Sequence, residues 1–225
     1  MSNFLKMDLS FRKKLDESIP RFNAKLINSL TGPKSTTLIA TFDEDNPSQT
    51  NCAIFSSVVH LGADPALIGF IVRPDSVDRH TLTNIRKSGL YTMNTVSYSF
   101  INKAHQTSAR YPENRSEFKE VGLKEEYLDG FRAPFVKEAL LKWSMRWVRS
   151  IPIEENGTHF IIGRVENIYL DSSILGEDGH IWLDKIDPAV VIGLDEYCKA
   201  SDSIRFSYAK PDQDLKEVSF KKWEL

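Results

Sequence analysis

Thr37-Leu-Ile-Ala-Thr-Phe42, Asp43-Glu-Asp-Asn-Pro47 and Asn51-Cys-Ala-Ile-Phe-Ser-Ser-Val-Val59 decide the fold of this chain. The first segment is rich in β-branched residues. The second is an acidic turn closed by proline, and the third is an apolar run carrying the hydroxyls Ser56 and Ser57. Two strand-forming runs flanking such a turn predict an antiparallel hairpin. Downstream, Leu67 to Val72 is a further short apolar run ended by Pro74. Thr81 to Lys87 reads as a helix stopped at Gly89, and Leu90 to Val96 returns to strand.

Outside this block the pattern continues in the same style. Residues 1–20 mix charged and apolar side chains and read as an arm. Pro20 opens a short helix in which Phe22, Leu26 and Leu30 form one stripe, and Gly32-Pro33 stops it. Tyr98 to Asp129 is polar and reads as helix or loop; its Arg110, Tyr111 and Arg115 suit a lid. Leu141 to Ile153 alternates with a period of two. Leu141, Trp143, Met145, Trp147, Ile151 and Ile153 fall on one face, Lys142, Ser144, Arg146 and Ser150 on the other. That period argues strand despite the helix-forming Ala-Leu-Leu-Lys at its start. Glu155-Asn156-Gly157 is a hairpin turn, because Asn and Gly tolerate positive φ, and Thr158 to Leu170 is the return strand. Trp143 and Trp147 read as core or interface packing rather than as a platform for bases.

The sum is six or seven strands joined mostly by hairpins, a mainly β fold with peripheral helices. Such strands close into an antiparallel barrel, which removes exposed edges. The lack of regular strand–helix alternation and of a Gly-x-Gly-x-x-Gly turn argues against a doubly wound sheet. The chain divides into the arm, a domain over residues 21–200 and a tail over residues 201–225.

Composition narrows the function. Of 225 residues, 41% are hydrophobic and 27% charged, with a net charge of −2, so no global field favours nucleic acid or an anionic membrane. No apolar stretch reaches the roughly 20 residues of a bilayer span, and the first residues lack the pattern of a signal peptide. Two cysteines, Cys52 and Cys198, form neither a disulfide framework nor a zinc knuckle, which points to a reduced, cytoplasmic setting. The sequons at Asn114 and Asn156 are then chance matches. No His, Cys or carboxylate cluster suggests a metal, and His60, His105 and His180 read as surface or loop residues.

The chemistry lies between Thr37 and Asn94. A strand offers the hydroxyls of Thr50, Ser56 and Ser57, and about fifteen residues later Arg73-Pro74 leads to Arg79-His80-Thr81 and Asn84. Hydroxyl and N–H groups on a strand, followed by cations at a helix start, suit a flat polar ring ending in phosphate. Flavin mononucleotide has that chemistry. Free N–H groups and the positive dipole end at Arg79, His80 and Thr81 favour a phosphate. Arg73 is a second phosphate candidate at a strand end, and Asn84 reads better as a side chain bonding back to the loop.

Pro33-Lys-Ser-Thr-Thr-Leu-Ile-Ala-Thr41, Asn51-x-Ala53-x-x-Ser56-Ser57, Asp64-Pro65, Arg79-His-Thr-Leu-Thr-Asn-Ile85 and Tyr91-Thr-Met-Asn94 resemble, in order and spacing, the flavin reductase-like family. Later pieces agree: Ser116-Glu-Phe118, Ala133-Pro134, His159-x-x-x-x-Gly163-Arg-Val165 and Tyr197. The resemblance covers roughly residues 20 to 200 and implies an FMN-binding split β-barrel, a homodimer, and hydride transfer from NADH or NADPH to the flavin N5. It places Asn51, Phe55, Ser56, Ser57, Val58, Arg73, Arg79, His80, Thr81 and Asn84 at the cofactor. His159, where the family often has a histidine facing the nicotinamide side, is the catalytic candidate, with an exposed hairpin residue as the equal alternative. A monooxygenase or other redox protein is the implied partner.

Two departures are informative. Arg79-His80-Thr81 stands where one branch has Lys-Asp-Thr, and loss of that acid favours phosphate. Asp195-Glu196 stands where many members have Gly-Gly, so the C-terminal part is expected to be built differently. Two alternatives stay open: a flavin protein reduced by a protein partner, and a barrel used for interaction with its flavin site decayed.

Overall fold

A computed structural model describes residues 5–223. In chain order the elements begin with α1 (Leu9–Ser18), α2 (Phe22–Leu30), β1 (Lys34–Ser35), β2 (Thr37–Phe42), β3 (Thr50–Phe55), β4 (Val59–Ala63) and β5 (Ala66–Val72). Next come α3 (His80–Ser88), β6 (Leu90–Thr95), α4 (Ile101–Gln106), α5 (Glu117–Val121), β7 (Glu125–Glu126) and β8 (Phe135–Val136). The last four are β9 (Leu141–Ile153), β10 (Thr158–Leu170), β11 (Ala189–Ile192) and β12 (Glu196–Lys199).

Seven strands form the main antiparallel sheet in the order β3-β2-β6-β9-β10-β5-β4. Its two edge strands, β3 and β4, are consecutive in the chain. The sheet must therefore curl until its edges meet at Ser56–Val58, which makes it a barrel. The sequence predicts one continuous strand from Asn51 to Val59; the structure breaks it at this seam, because a strand cannot serve both edges without turning. Among the described residues, twelve strands replace the expected six or seven. The additional ones are the short pair β7-β8 and the small sheet β1-β11-β12.

Burial explains the composition of β2. All its residues are buried, since Ile39 packs into the barrel interior with Phe70, Val72, Tyr91, Met93, Met145 and Ile161. Leu38 and Ala40 point the other way, into a second core with Cys52, Phe100, Ala104, Phe118 and Val136. A strand covered on both faces reads as an apolar run rather than an alternation. Leu82 and Ile85 of α3 belong to the interior cluster, so this helix is anchored by its own apolar face.

The β9–β10 hairpin forms as predicted, with Gly157 at φ 70° in the turn. Its faces differ from the prediction. Lys142 and Ser144 are buried, at 6% and 0% exposure, because residues 125–137 cover that face. Lys142 Nζ is held there by Glu126 at 2.7 Å and by the Val136 carbonyl at 3.0 Å. Ile151, expected inside, is exposed. Between Ile162 and Gly163 the register slips and leaves Val148 as an extra residue on β9, which re-aims the side chains beyond it. Gly163 sits where a Cβ would run into the Tyr91 hydroxyl, so this crossing admits no side chain.

The arm is not extended: within it, α1 is capped by Asp8 and joined to α2 by Asn23 N–H donating to Asp16. The tail folds back on residues 175–182, with Trp223 N–H donating to the Leu175 carbonyl and Phe220 edge-on to Trp182.

Candidate functional site

Where β3 leaves the hairpin, the barrel seam, the start of α3, α4 and β12 enclose a cavity of about 840 Å³. That volume lies within the range of small-molecule and cofactor sites. Asn51, Phe55, Ser56, Ser57, Arg73, Arg79, His80, Thr81 and Asn84 line it. Val58 does not; it packs against the interior core. Residues 30 apart in sequence meet here because the seam carries β3 past the end of β5 and α3 crosses β2 and β3.

One end of the cavity is cationic. Arg79 is the N-cap of α3 and no side chain caps that helix, so its first N–H groups remain available. The first intrahelical bond runs from Thr83 N–H to the Arg79 carbonyl at 3.0 Å. Arg79 Nε donates to the Pro74 carbonyl at 3.0 Å, which fixes the guanidinium. Partial burial, and then the neighbouring cations Arg73 and Arg110, pull its pKa below the usual value, while Asp75 acts the other way. Arg79 stays charged regardless. Arg73, Arg79 and Arg110 all line the cavity, and several cations facing one cavity favour an anion such as a phosphate.

The other end is a mixed wall. Phe55 meets Phe70 edge-on at 5.1 Å, and the seam residues Ser56 and Ser57 follow it. Ser57 spends its hydroxyl on Ile71, whereas no described residue takes up that of Ser56. Thr50, expected on this side, is turned away to Ser116 at 2.7 Å and Glu125 at 2.6 Å. Thr81 donates to Asn51 Oδ1 at 2.8 Å, so its hydroxyl proton is committed within the protein. Asn84 bonds back, as the sequence suggests, with Nδ2 donating to Thr41 at 3.0 Å.

His159 lies off the cavity. It sits near the Asn-Gly turn, largely enclosed, with Nε2 3.1 Å from Asp75 Oδ2 but without hydrogen-bond alignment, and Nδ1 3.4 Å from an Arg86 nitrogen. His105 corrects the prediction in the other direction. Expected at the surface or in a loop, it lines the cavity from α4, with Nδ1 2.8 Å from the Tyr197 hydroxyl and the rings edge to face. Burial, and then Asp195, raise the Tyr197 pKa. Those residues are 92 apart in sequence, so no local spacing could signal the pair.

Glu117 is a further cavity residue that sequence spacing did not signal. The residue is 5% exposed and lines the cavity, and its carboxylate accepts from Asn51 Nδ2 at 2.8 Å and from Cys52 N–H at 3.0 Å. Desolvation raises its pKa, against the opposing pull of those hydrogen bonds and of nearby His80. Of the expected lid, Arg110 and Tyr111 line the cavity. Arg115 is instead paired with Glu120.

A curled antiparallel sheet, split between β3 and β4, with a cationic helix start beside a seam-side cavity defines a split-barrel flavoprotein scaffold, and comparison with known proteins agrees. Residues 31–191 match the flavin reductase like domain, and the chain belongs to that family. The crystal structure of a candidate flavin reductase with split barrel domain, from Shewanella frigidimarina NCIMB 400, superposes with a TM-score of 0.85 at 44% identity. The match covers 92% of this chain and 100% of that one. Nitrilotriacetate monooxygenase component B from Bacillus cereus gives 0.78 at 21% identity, over 91% and 100% of the two chains. Flavoredoxin of Desulfovibrio vulgaris (Miyazaki F) gives 0.68 at 21%, over 79% and 92%. The last two share the fold. Among the described residues no helix is long and apolar enough to cross a membrane.

Proposed function

We propose that this protein is an FMN-dependent oxidoreductase, a flavin reductase that draws its electrons from NADH or NADPH. The presence of Arg73, Arg79 and Arg110 on the wall of one cavity of cofactor size, together with the uncapped start of α3, carries the reading. Arg79 and Arg73 would hold the phosphate as charged donors, and the first N–H groups of α3 would add the helix dipole. Phe55, Ser56 and the Ser57 backbone would lie along the ring. When bound, FMN supplies a ring that accepts two electrons from a dihydronicotinamide. The Ser56 hydroxyl is the side-chain donor free to stabilise negative charge at the ring edge. Arg110 and Tyr111, on the loop after α4, would limit water at the cationic end.

A homodimer belongs to the same proposal. Neither α1 nor α2 buries a residue within one chain, and Leu9, Ile27 and Leu30 stay exposed, as an element that awaits a partner copy does. A monooxygenase or other redox protein is the proposed consumer of the electrons. The free thiols of Cys52 and Cys198 suit a reducing, cytoplasmic setting.

Anaerobic mixing of the FMN-loaded protein with NADH, and separately with NADPH, tests the reading through the visible flavin band. Rapid bleaching supports a reductase and identifies its donor. A band that persists moves the electron source to a protein partner, the reading that the fold shared with a flavoredoxin favours.

A further inference from the structure

We infer that Glu117 is a positioning residue: through Asn51 and Thr81 its buried carboxylate locks the phosphate end of the site, at α3, to the ring-facing strand β3. The inference rests on the FMN reading above.

A chain of hydrogen bonds carries it, and the direction is fixed at every step. Asn84 Nδ2 donates to Thr41 Oγ1 at 3.0 Å, and Thr41 Oγ1 donates to Asn51 Oδ1 at 3.5 Å. Thr81 Oγ1 donates to the same Oδ1 at 2.8 Å. Asn51 Nδ2 then donates to Glu117 Oε2 at 2.8 Å, where the Cys52 N–H also ends at 3.0 Å. An ionised carboxylate only accepts, so Asn51 must turn its amide nitrogen to Glu117 and its oxygen to Thr81. Thr41, Asn51, Thr81, Asn84 and Glu117 are all buried. A satisfied network in low dielectric is rigid, and removing its terminal acceptor leaves several groups without a defined partner.

Anion binding does not explain the carboxylate. On the wall of a cavity built for phosphate at the start of α3, a negative charge opposes the ligand. Its contacts instead join α5 to β3 and, through Asn51, to the first turn of α3. A ligand that spans both ends gains from having them held at one separation, as two linked binding events gain from a rigid linker. FMN spans both ends; riboflavin, which has the ring and no phosphate, engages one.

The test is the dissociation constant of FMN and of riboflavin for the ligand-free protein, read by quenching of flavin fluorescence. In Glu117→Ala, FMN binding is expected to weaken by about tenfold or more, the scale of one charge-assisted hydrogen bond, while riboflavin changes by less than about twofold. Glu117→Gln retains an oxygen acceptor for Asn51 and is expected to stay near wild type. Thr81→Val cuts the chain at its other end without stranding a charge, so it serves if Glu117→Ala fails to fold. A loss specific to FMN in both Glu117→Ala and Thr81→Val supports the inference. A loss in Thr81→Val alone makes Thr81 a direct phosphate ligand and overturns it. Equal losses for both flavins make Glu117 a merely structural residue and overturn it as well. Wild type that binds FMN no better than riboflavin overturns the phosphate reading underneath, which the variants alone would not reveal.

Discussion

Ser57 Oγ accepts a hydrogen bond from the Ile71 N–H at 3.0 Å and donates one to the Ile71 carbonyl at 3.2 Å. A single side chain thus replaces a strand partner where β4 has not yet begun to pair, since the β4–β5 ladder starts with Val59 opposite Gly69. This contact ties the connection between β3 and β4 to β5. Ser57→Ala strands both groups of Ile71 and is expected to cost about 1–3 kcal/mol of stability. Ser56→Ala, one residue earlier, is expected to leave stability within about 0.5 kcal/mol and to slow flavin reduction instead. Urea denaturation and anaerobic stopped-flow separate the two; equal stability losses would contradict the division of labour.

Arg79 is oriented by the Pro74 carbonyl and crowded by Arg73 and Arg110. Arg79→Ala is expected to weaken FMN by about ten- to a hundredfold and to leave riboflavin nearly unaffected, because only a phosphate contact is removed. Titration calorimetry with the two flavins checks this, and unchanged FMN affinity would refute the assignment.

The pKa of Glu117 is raised chiefly by desolvation, so the folded protein holds this proton more tightly than the unfolded chain. Between the ordinary carboxylate value and the raised one, the native state binds more protons. The contribution of Glu117 to stability therefore falls as pH rises through that window and is a constant cost above it. Glu117→Gln removes the ionisation, and the ligand-free variant is expected to gain on wild type as pH rises from about 4 to about 7. Denaturation midpoints at several pH values measure it; a difference independent of pH would show that burial leaves this carboxylate unperturbed.

His159→Ala is expected to leave FMN affinity within about twofold, since in this chain the imidazole faces Asp75 and Arg86 rather than the cavity. Loss of FMN binding in that variant would mean that a second copy brings the histidine to the site.

Gly163→Ala forces a methyl against the buried Tyr91 hydroxyl and is expected to destabilise by about 1–3 kcal/mol, as overpacking does. Thermal unfolding of the variant reports it directly, and an unchanged midpoint would mean that Tyr91 swings aside freely.

Local chemistry made part of this protein legible from its sequence. The alternation along Leu141–Ile153, the Asn156-Gly157 turn and the β-branched run of β2 each follow from side-chain periodicity and backbone preference, properties of neighbouring residues. Most of the expected cofactor residues cluster because they flank one hairpin and one helix start. Tertiary structure decided what lies at long range. It broke the run at Ser56–Val58 because the same segment must serve both edges of a closing sheet. It buried Lys142 and Ser144 beneath residues 125–137. It also brought Glu117 to Asn51 and His105 to Tyr197, across 66 and 92 residues. A sequence states what each side chain can donate or accept; which partner it finds is settled only when distant segments are packed against one another.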